Sequence, residues 1–295
     1  LREDAVQLEG VTVSGETDEV MSGDRTGAST YIDAAEVAVL PTISRSTRDL
    51  TRVDPRSDGN FSFGGRNWLY NNVTLDGSYF NNAFGLDDPS PGGQAGAEPV
   101  PYDAIEQVQV SIAPFDVRES GFTGASINQV TKSGTNTFEA TAYTFYRSED
   151  LVGNTVSGNP VIANPDLSFN QVGLAAGGPI LEDKLFFYVN GELSRRDDPG
   201  TNFVANRDGA VTFGESRVRA SDLDAISERL RTAYGYETGG YDDYVRATDN
   251  DKLLAKINWN INESNELSVR YNYLDAYRDL TVNPAAISFA NAGRG

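Results

Sequence analysis

The 295-residue chain carries 43 acidic and 24 basic side chains, a net charge of −19, and contains neither cysteine nor histidine. This acidity argues against a nucleic-acid partner, because phosphate binding requires clustered Lys and Arg. Without cysteine and histidine, the chain can form no disulfide, no thiolate metal site and no Ser-His-Asp or Cys-His catalytic group. Acidic pairs such as Asp87-Asp88 lack the spacing of a calcium loop. We therefore expect no metal, no cofactor and no enzymatic activity.

Residues 20–135 have the irregular, loop-rich pattern of a small α+β domain. Short helices are predicted at Tyr31–Leu40 and Thr47–Thr51. Asp33 is placed to cap the first of them, since a carboxylate can accept the free N–H groups of a helix start. Strands are predicted at Asn72–Leu75, Ile105–Ile112 and Ala125–Lys132. The pair Asp76-Gly77 after the first strand predicts a tight turn.

After residue 136, apolar and polar side chains alternate with a period of two in five segments. These predicted strands cover residues 137–147, 168–178, 184–194, 252–261 and 267–273. In the fourth segment the apolar positions are Leu253, Ala255, Ile257, Trp259 and Ile261, and the polar ones include Lys252, Lys256 and Asn258. Alternating segments of roughly 9–11 residues are typical of tilted transmembrane β-strands.

The connections between these segments alternate in length. Residues 148–167 and 197–250 form long loops, and residues 179–183 and 262–265 form short turns. Outer-membrane barrels have long extracellular loops and short periplasmic turns, so the alternation favours a membrane barrel. A soluble β-sandwich, whose strands also alternate, is the other interpretation. The longest loop is predicted to contain a helix at Ser221–Tyr234, with Ser221 and Asp224 as a capping box.

Four motifs occur in order in the first half of the chain. They are Phe61-Ser-Phe-Gly-Gly-Arg66, Tyr70-Asn-Asn-Val-Thr-Leu-Asp-Gly77, Asp103-Ala-Ile-Glu-Gln-Val-Gln-Val110 and Gly124-Ala-Ser-Ile-Asn-Gln-Val-Thr-Lys132. In this order and spacing they resemble the plug-domain signature of TonB-dependent outer-membrane receptors. The stretch Gly177-Gly-Pro-Ile-Leu-Glu-Asp-Lys-Leu-Phe-Phe187 resembles the Oar-like branch of that family.

The resemblance implies a small α+β plug domain followed by antiparallel strands of a transmembrane β-barrel. It divides the chain into a TonB-box and linker segment at 1–19, a plug domain at 20–135 and barrel strands at 136–295. The family barrel has about 22 strands, so five strands predict a barrel that is incomplete in this chain. The plug-signature residues, expected to be structural, are Gly64, Gly65, Arg66, Asp76, Gly77, Gly124, Asn128, Thr131 and Lys132. For Arg66, pairing with barrel carboxylates is the favoured role and contact with an anionic substrate the alternative.

The resemblance also implies TonB-dependent uptake of a large or scarce substrate, such as a peptide or protein, across the bacterial outer membrane. The periplasmic domain of TonB would pair with an extended N-terminal peptide by β-augmentation. The candidate TonB box comprises Leu8, Glu9, Val11, Thr12 and Val13, in the periplasm. The same run could instead be a plug strand or a linker. A structural or adhesive outer-membrane protein, or a secretion-associated component without transport, is the alternative function.

Overall fold

The computed structural model describes residues 28–42, 44–82, 89–114, 120–162, 166–280 and 286–291. The chain divides into two compact units. Unit 1 comprises Leu1–Asn81 and Glu106–Val130, and unit 2 comprises Asn82–Ile105 and Thr131–Gly295. This division assigns Asn82–Ile105 to the same unit as the later strands, so the domain boundary at residue 135 stays a prediction. No helix in the described ranges is long and apolar enough to span a membrane.

Unit 1 is built on a five-stranded mixed sheet with two short helices. Its strands are β1 (Ala28–Ile32), β2 (Asn72–Leu75), β3 (Ser78–Tyr79), β4 (Ile105–Ile112) and β5 (Ser126–Thr131), and its helices are α1 (Ala34–Val39) and α2 (Thr47–Thr51). The sheet order is β1-β4-β5-β2-β3, with β2 and β5 parallel. The core consists of fully buried aliphatic side chains from the sheet and α2: Ile32, Leu50, Val73, Leu75, Val108, Val110 and Ile127.

The first helix begins later than predicted, at Ala34 rather than Tyr31. Tyr31 and Ile32 are extended and pair with β4, because antiparallel pairing satisfies their backbone groups and buries Ile32. The predicted cap is confirmed. Asp33 Oδ1 accepts a hydrogen bond from the Glu36 N–H at 2.9 Å, and the Glu36 side chain accepts one from the Asp33 N–H.

Unit 2 contains the five strands that the alternating pattern predicted, here called the wall strands. They are β6 (Glu139–Ser148), β9 (Ser168–Leu181), β10 (Leu185–Pro199), β13 (Val245–Asn262) and β14 (Asn265–Arg278). All are antiparallel in the order β14-β13-β10-β9-β6, so consecutive wall strands are neighbours. The sheet is therefore an up-and-down meander, with β6 and β14 as its edges among the described residues.

The wall strands have one apolar and one polar face, as predicted. The apolar face is exposed and includes Val172, Leu174, Leu193, Leu253, Ile257 and Trp259. The polar face is buried and includes Tyr188, Asn190, Glu192, Ser194, Lys252 and Lys256. An apolar residue, Leu254, also lies on the polar face and is fully buried. This polarity, apolar outside and polar inside, is that of a barrel wall with a wet lumen.

The loop between β10 and β13 folds into a small subdomain. It contains β11 (Val204–Asn206), β12 (Glu215–Arg219) and α3 (Ala220–Tyr234), and the loop after β6 contains the hairpin strands β7 (Thr155–Val156) and β8 (Asn159–Pro160). The helix is confirmed, but the predicted capping box is wrong. Arg219 occupies the N-cap position without a side-chain hydrogen bond, and Asp224 accepts one from Tyr241 instead.

Candidate functional site on the polar face

A charged row crosses the polar face where β6, β9, β10 and β13 are in register. Lys252 Nζ donates to Glu192 Oε1 at 2.7 Å, and the Tyr143 hydroxyl donates to Glu192 Oε2 at 3.1 Å. Gly173 lies between Tyr143 and Glu192 in this register. A Cβ at Gly173 would lie 2.1 Å from Tyr143 Cζ, so only glycine leaves room for the ring. The Glu192 carboxylate is therefore buried and accepts two hydrogen bonds, one of them from a charged donor.

The row continues through longer contacts toward the next polar positions. The Tyr143 hydroxyl lies 3.5 Å from Asn190 Oδ1, and Asn190 Nδ2 lies 3.5 Å from the Tyr188 hydroxyl. That hydroxyl donates to the main-chain carbonyl of Asp103 at 3.2 Å. A chain of polar side chains therefore connects the Glu192–Lys252 pair to the backbone of residues 89–105, called the docked segment below.

Side chains of β14 and β13 also donate hydrogen bonds to main-chain carbonyls, one in the docked segment and one at Thr131. Asn272 Nδ2 of β14 donates to the Pro99 carbonyl at 3.1 Å. Lys256 Nζ of β13 donates to the Thr131 carbonyl at 3.1 Å and lies 3.2 Å from Thr131 Oγ1. Next to these contacts, the Lys132 N–H donates to the Ala104 carbonyl at 2.8 Å, which joins the docked segment to the chain that enters the wall.

Gly134 allows the chain that leads into β6 to pass close to the backbone of β9 and β10. A Cβ at Gly134 would lie 2.2 Å from the Phe187 carbonyl oxygen and 2.8 Å from that of Gly178. The crossing is fixed at the neighbouring turn, where Asn136 Nδ2 donates to Asp183 Oδ1 at 2.6 Å and the Asp183 N–H donates back to Asn136 Oδ1 at 2.9 Å. The chain between the plug signature and β6 is therefore held against β9 and β10.

In unit 1, two parts of the predicted plug signature meet at one side chain. Asp76 and Gly77 have φ values of +47° and +74° and form the two-residue turn between β2 and β3, as predicted. Asn128 Oδ1 accepts hydrogen bonds from the Gly77 N–H at 3.0 Å and the Thr74 hydroxyl at 2.8 Å. Asn128 on β5 thus fixes the turn that follows β2.

The remaining signature glycines also serve local geometry. Gly64 and Gly65, with φ of +57° and +75°, make the turn that returns Arg66 to pair with Phe63. A Cβ at Gly124 would lie 2.3 Å from Asn71 Oδ1, the atom that accepts the Ala125 N–H. These positions require glycine for a positive φ or for a close approach.

Two arginines of unit 1, Arg66 and Arg56, lie in different surroundings. Arg66 is exposed, so its pairing with barrel carboxylates stays a prediction. A half-buried ion pair of unit 1 joins Arg56 Nη2 to Asp54 Oδ2 at 2.5 Å, where the Asp54 side chain is fully buried and the Arg56 side chain is 28% exposed. The candidate TonB box, Leu8–Val13, lies outside the described residues. No group of three Asp or Glu side chains in the described ranges could hold a metal ion.

The comparison with protein families identifies the part of the chain that forms the wall. The model of the family "Outer membrane beta barrel domain" matches residues 130–294, more than half of the chain. The chain belongs to this outer-membrane β-barrel family. The match covers all five wall strands and the subdomain between β10 and β13, and it shows an outer-membrane location.

Relatives of this outer-membrane β-barrel protein confirm the resemblance stated from the motifs. The TonB-dependent transporter Oar from Myxococcus xanthus is 27% identical over 128 residues, which are 40% of this chain and 12% of Oar. The siderophore receptor PirA from Acinetobacter baumannii aligns at 17% identity with a TM-score of 0.55, over 85% of this chain and 32% of that one. The outer membrane transporter YddB from Escherichia coli aligns at 16% identity with a TM-score of 0.53, over 85% and 33%.

The predicted fold class is confirmed by these likenesses, which at such identities show the fold alone. The chain spans about a third of the length of the two solved structures and a smaller share of Oar. All three relatives are named as transporters or receptors rather than enzymes.

Proposed function

We propose that the full-length protein carries out TonB-dependent uptake across the outer membrane, with residues 20–135 as a plug that gates the barrel lumen. One observation carries this proposal. The wall strands expose an apolar face, while residues 89–105, which precede them in the chain, lie against their polar face through Tyr188 and Asn272. In a plugged barrel, part of the plug must lie against the lumenal face of the wall, as residues 89–105 do.

The barrel size explains why a plug and an energy source are needed. A barrel of about 22 strands encloses a lumen that would leak unless something filled it. The outer membrane holds no nucleotide energy source, so the plug must be moved from the inner membrane through TonB. We propose a large or scarce substrate, such as a peptide or protein, because only such a substrate needs an energised route.

The proposed contact with TonB is made by the N-terminal segment in the periplasm. Leu8, Glu9, Val11, Thr12 and Val13 form a β-prone run between more polar residues, and proline is absent from it. An extended peptide of this kind can add a strand to an exposed sheet edge, where main-chain hydrogen bonds supply most of the affinity.

The test is co-purification of the full-length protein with the periplasmic domain of TonB. Val11→Pro and Val13→Pro each remove a backbone donor and fix φ, so both should abolish binding. Val13→Ala is the matched control and should retain most of it, because it leaves the main chain intact. Wild-type binding by both proline variants, in folded protein, would show that this run is not the TonB box. Failure of the folded wild-type protein to bind would favour the alternative of a structural or adhesive outer-membrane protein.

A further inference from the structure

Three main-chain carbonyls of the docked segment accept hydrogen bonds from the wall and from the chain that leads into it. Asn272 donates to the Pro99 carbonyl and Tyr188 to the Asp103 carbonyl, while the Ala104 carbonyl accepts the Lys132 N–H. The donors come from β14, β10 and the chain that leads into β6. The acceptors in these three hydrogen bonds are backbone carbonyls, so the bonds themselves do not depend on the side chains at positions 99, 103 and 104.

Lys256 holds the chain next to Lys132, whose N–H binds the docked segment. Its ammonium group donates to the Thr131 carbonyl next to Lys132, and its side chain is buried. Lys256 and Tyr188 are directly paired in the register of β13 and β10, so the two donors act side by side. A buried hydrogen bond from a charged donor is stronger than one between neutral groups, and leaving either partner unpaired is costly.

The contact of the docked segment with β14 is close as well as hydrogen-bonded. Gly92 has a φ of +86°, and a Cβ there would lie 2.4 Å from Leu274 Cδ2 on the polar face of β14. Ala97 and Ala104 are buried, with exposed fractions of 6% and 0%. The segment is thus packed against the wall at its start and hydrogen-bonded to it at Pro99 and Asp103.

We propose that Tyr188, Lys256 and Asn272 are positioning residues that keep the docked segment on the wall throughout the transport step. Opening of the lumen is then confined to other parts of the predicted plug. This inference rests on the proposed function, because it assumes that TonB drives an opening movement. It gives three wall side chains a role beyond the stability of the wall, because their donors bind carbonyl oxygens that lie outside the wall strands.

These 295 residues contain no cysteine, so an introduced cysteine is the only one in this part of the protein, and any native cysteine elsewhere in the full-length protein is first replaced by serine. Ala97→Cys places a buried reporter in the docked segment, and Ser62→Cys places one in unit 1, where Ser62 is also buried. Each is introduced into the full-length protein, and a membrane-impermeant maleimide is added to native cells with and without functional TonB. We expect TonB to increase labelling at position 62 several-fold and to leave position 97 protected.

The outcomes separate the inference from the proposed function. TonB-dependent labelling at position 97 to the same extent as at position 62 would overturn the inference while supporting the function. Labelling that ignores TonB at both positions would overturn the proposed function, and the inference with it.

A matched pair of variants then tests the donors themselves. Asn272→Ala removes a donor to the docked segment, whereas Asn258→Ala removes an amide on the same face that donates to Ser268 instead. In the Ala97→Cys background, Asn272→Ala and Lys256→Met should each make position 97 label in a TonB-dependent way, and Asn258→Ala should not. Lys256→Arg should restore protection relative to Lys256→Met. Equal labelling with Asn272→Ala and Asn258→Ala would contradict the positioning role.

Discussion

Lys252 and Glu192 are directly opposed on β13 and β10, and their Nζ and Oε1 atoms lie 2.7 Å apart with both side chains buried. The ion pair is isolated from solvent, and the Tyr143 hydroxyl occupies the second carboxylate oxygen. Because neither charge can be solvated if its partner is removed, the pair should be strongly coupled.

Breaking one side of this pair should destabilise the wall. Lys252→Met leaves the Glu192 carboxylate buried with only a neutral donor, at a cost of about 3–5 kcal/mol in the free energy of unfolding. Glu192→Gln should cost a similar amount, and the double variant should cost less than the sum of the two. The measurement is urea unfolding of the full-length protein in detergent micelles. Additive effects of the two single changes would show that the charges are not coupled.

The alternating strands could be predicted from the sequence because the two faces of a strand are a local property. Leu253 and Ile257 are exposed and Lys252 and Lys256 buried, as their odd and even positions predicted. The pairing of Glu192 with Lys252 could not be predicted, since it depends on register between strands 60 residues apart. The local pattern also predicted a helix from Tyr31, but Tyr31 pairs with β4 as a strand residue, and this pairing depends on a segment far away in the sequence.

The plug signature was predictable in its turns but not in its contacts. Asp76-Gly77 forms the predicted turn, because two successive positive φ values suit this pair. That Asn128 would hold this turn depends on a tertiary contact between residues 51 positions apart. Asp54 and Arg56 are two residues apart, and this spacing was the only local signal for their pairing.

An added charge should be more costly on the apolar face of β13 than on its polar face. Ile257 is 45% exposed on the apolar face, whereas its neighbour Asn258 is on the polar face. Ile257→Lys should cost ~2–4 kcal/mol if the position lies near the bilayer midplane, and Asn258→Lys much less. The readout is the fraction of folded protein in the outer membrane, measured by heat-modifiable gel mobility. Equal fractions for the two variants would contradict the assignment of the apolar face to lipid.

The crossing at Gly134 should not tolerate a methyl group. Gly134→Ala would bring a Cβ to 2.2 Å from the Phe187 carbonyl oxygen, and a backbone atom cannot move aside as a flexible side chain can. Overpacking of this kind costs about 1–3 kcal/mol. Gly153→Ala is the control, because a Cβ there meets nothing within 4 Å. Assembly yield in the outer membrane should fall for the first variant only.

The ion pair in unit 1 should make stability depend on pH in acid. Burial alone would raise the pKa of Asp54, but hydrogen bonds from the Arg56 side chain and backbone and the Arg56 charge lower that pKa below the ordinary value of 3.8. A carboxyl group with a depressed pKa stabilises the fold above its unfolded-state pKa, and this stabilisation is lost as pH falls through the folded-state pKa. The wild-type protein should therefore lose more stability below about pH 4 than Asp54→Asn. Parallel thermal unfolding curves for both proteins across this range would refute the assignment.

The sides of the membrane can be assigned with single cysteines. Val211 lies in the long loop between β10 and β13 and is 56% exposed, and Ser264 lies exposed in the short turn between β13 and β14. Long loops of outer-membrane barrels are extracellular and short turns periplasmic. A maleimide coupled to a polymer too large to cross the outer membrane should therefore label Val211→Cys in intact cells. Ser264→Cys, which keeps the size of the side chain, should react only after the membrane is broken. The opposite pattern would reverse the topology and would place the subdomain containing α3 in the periplasm.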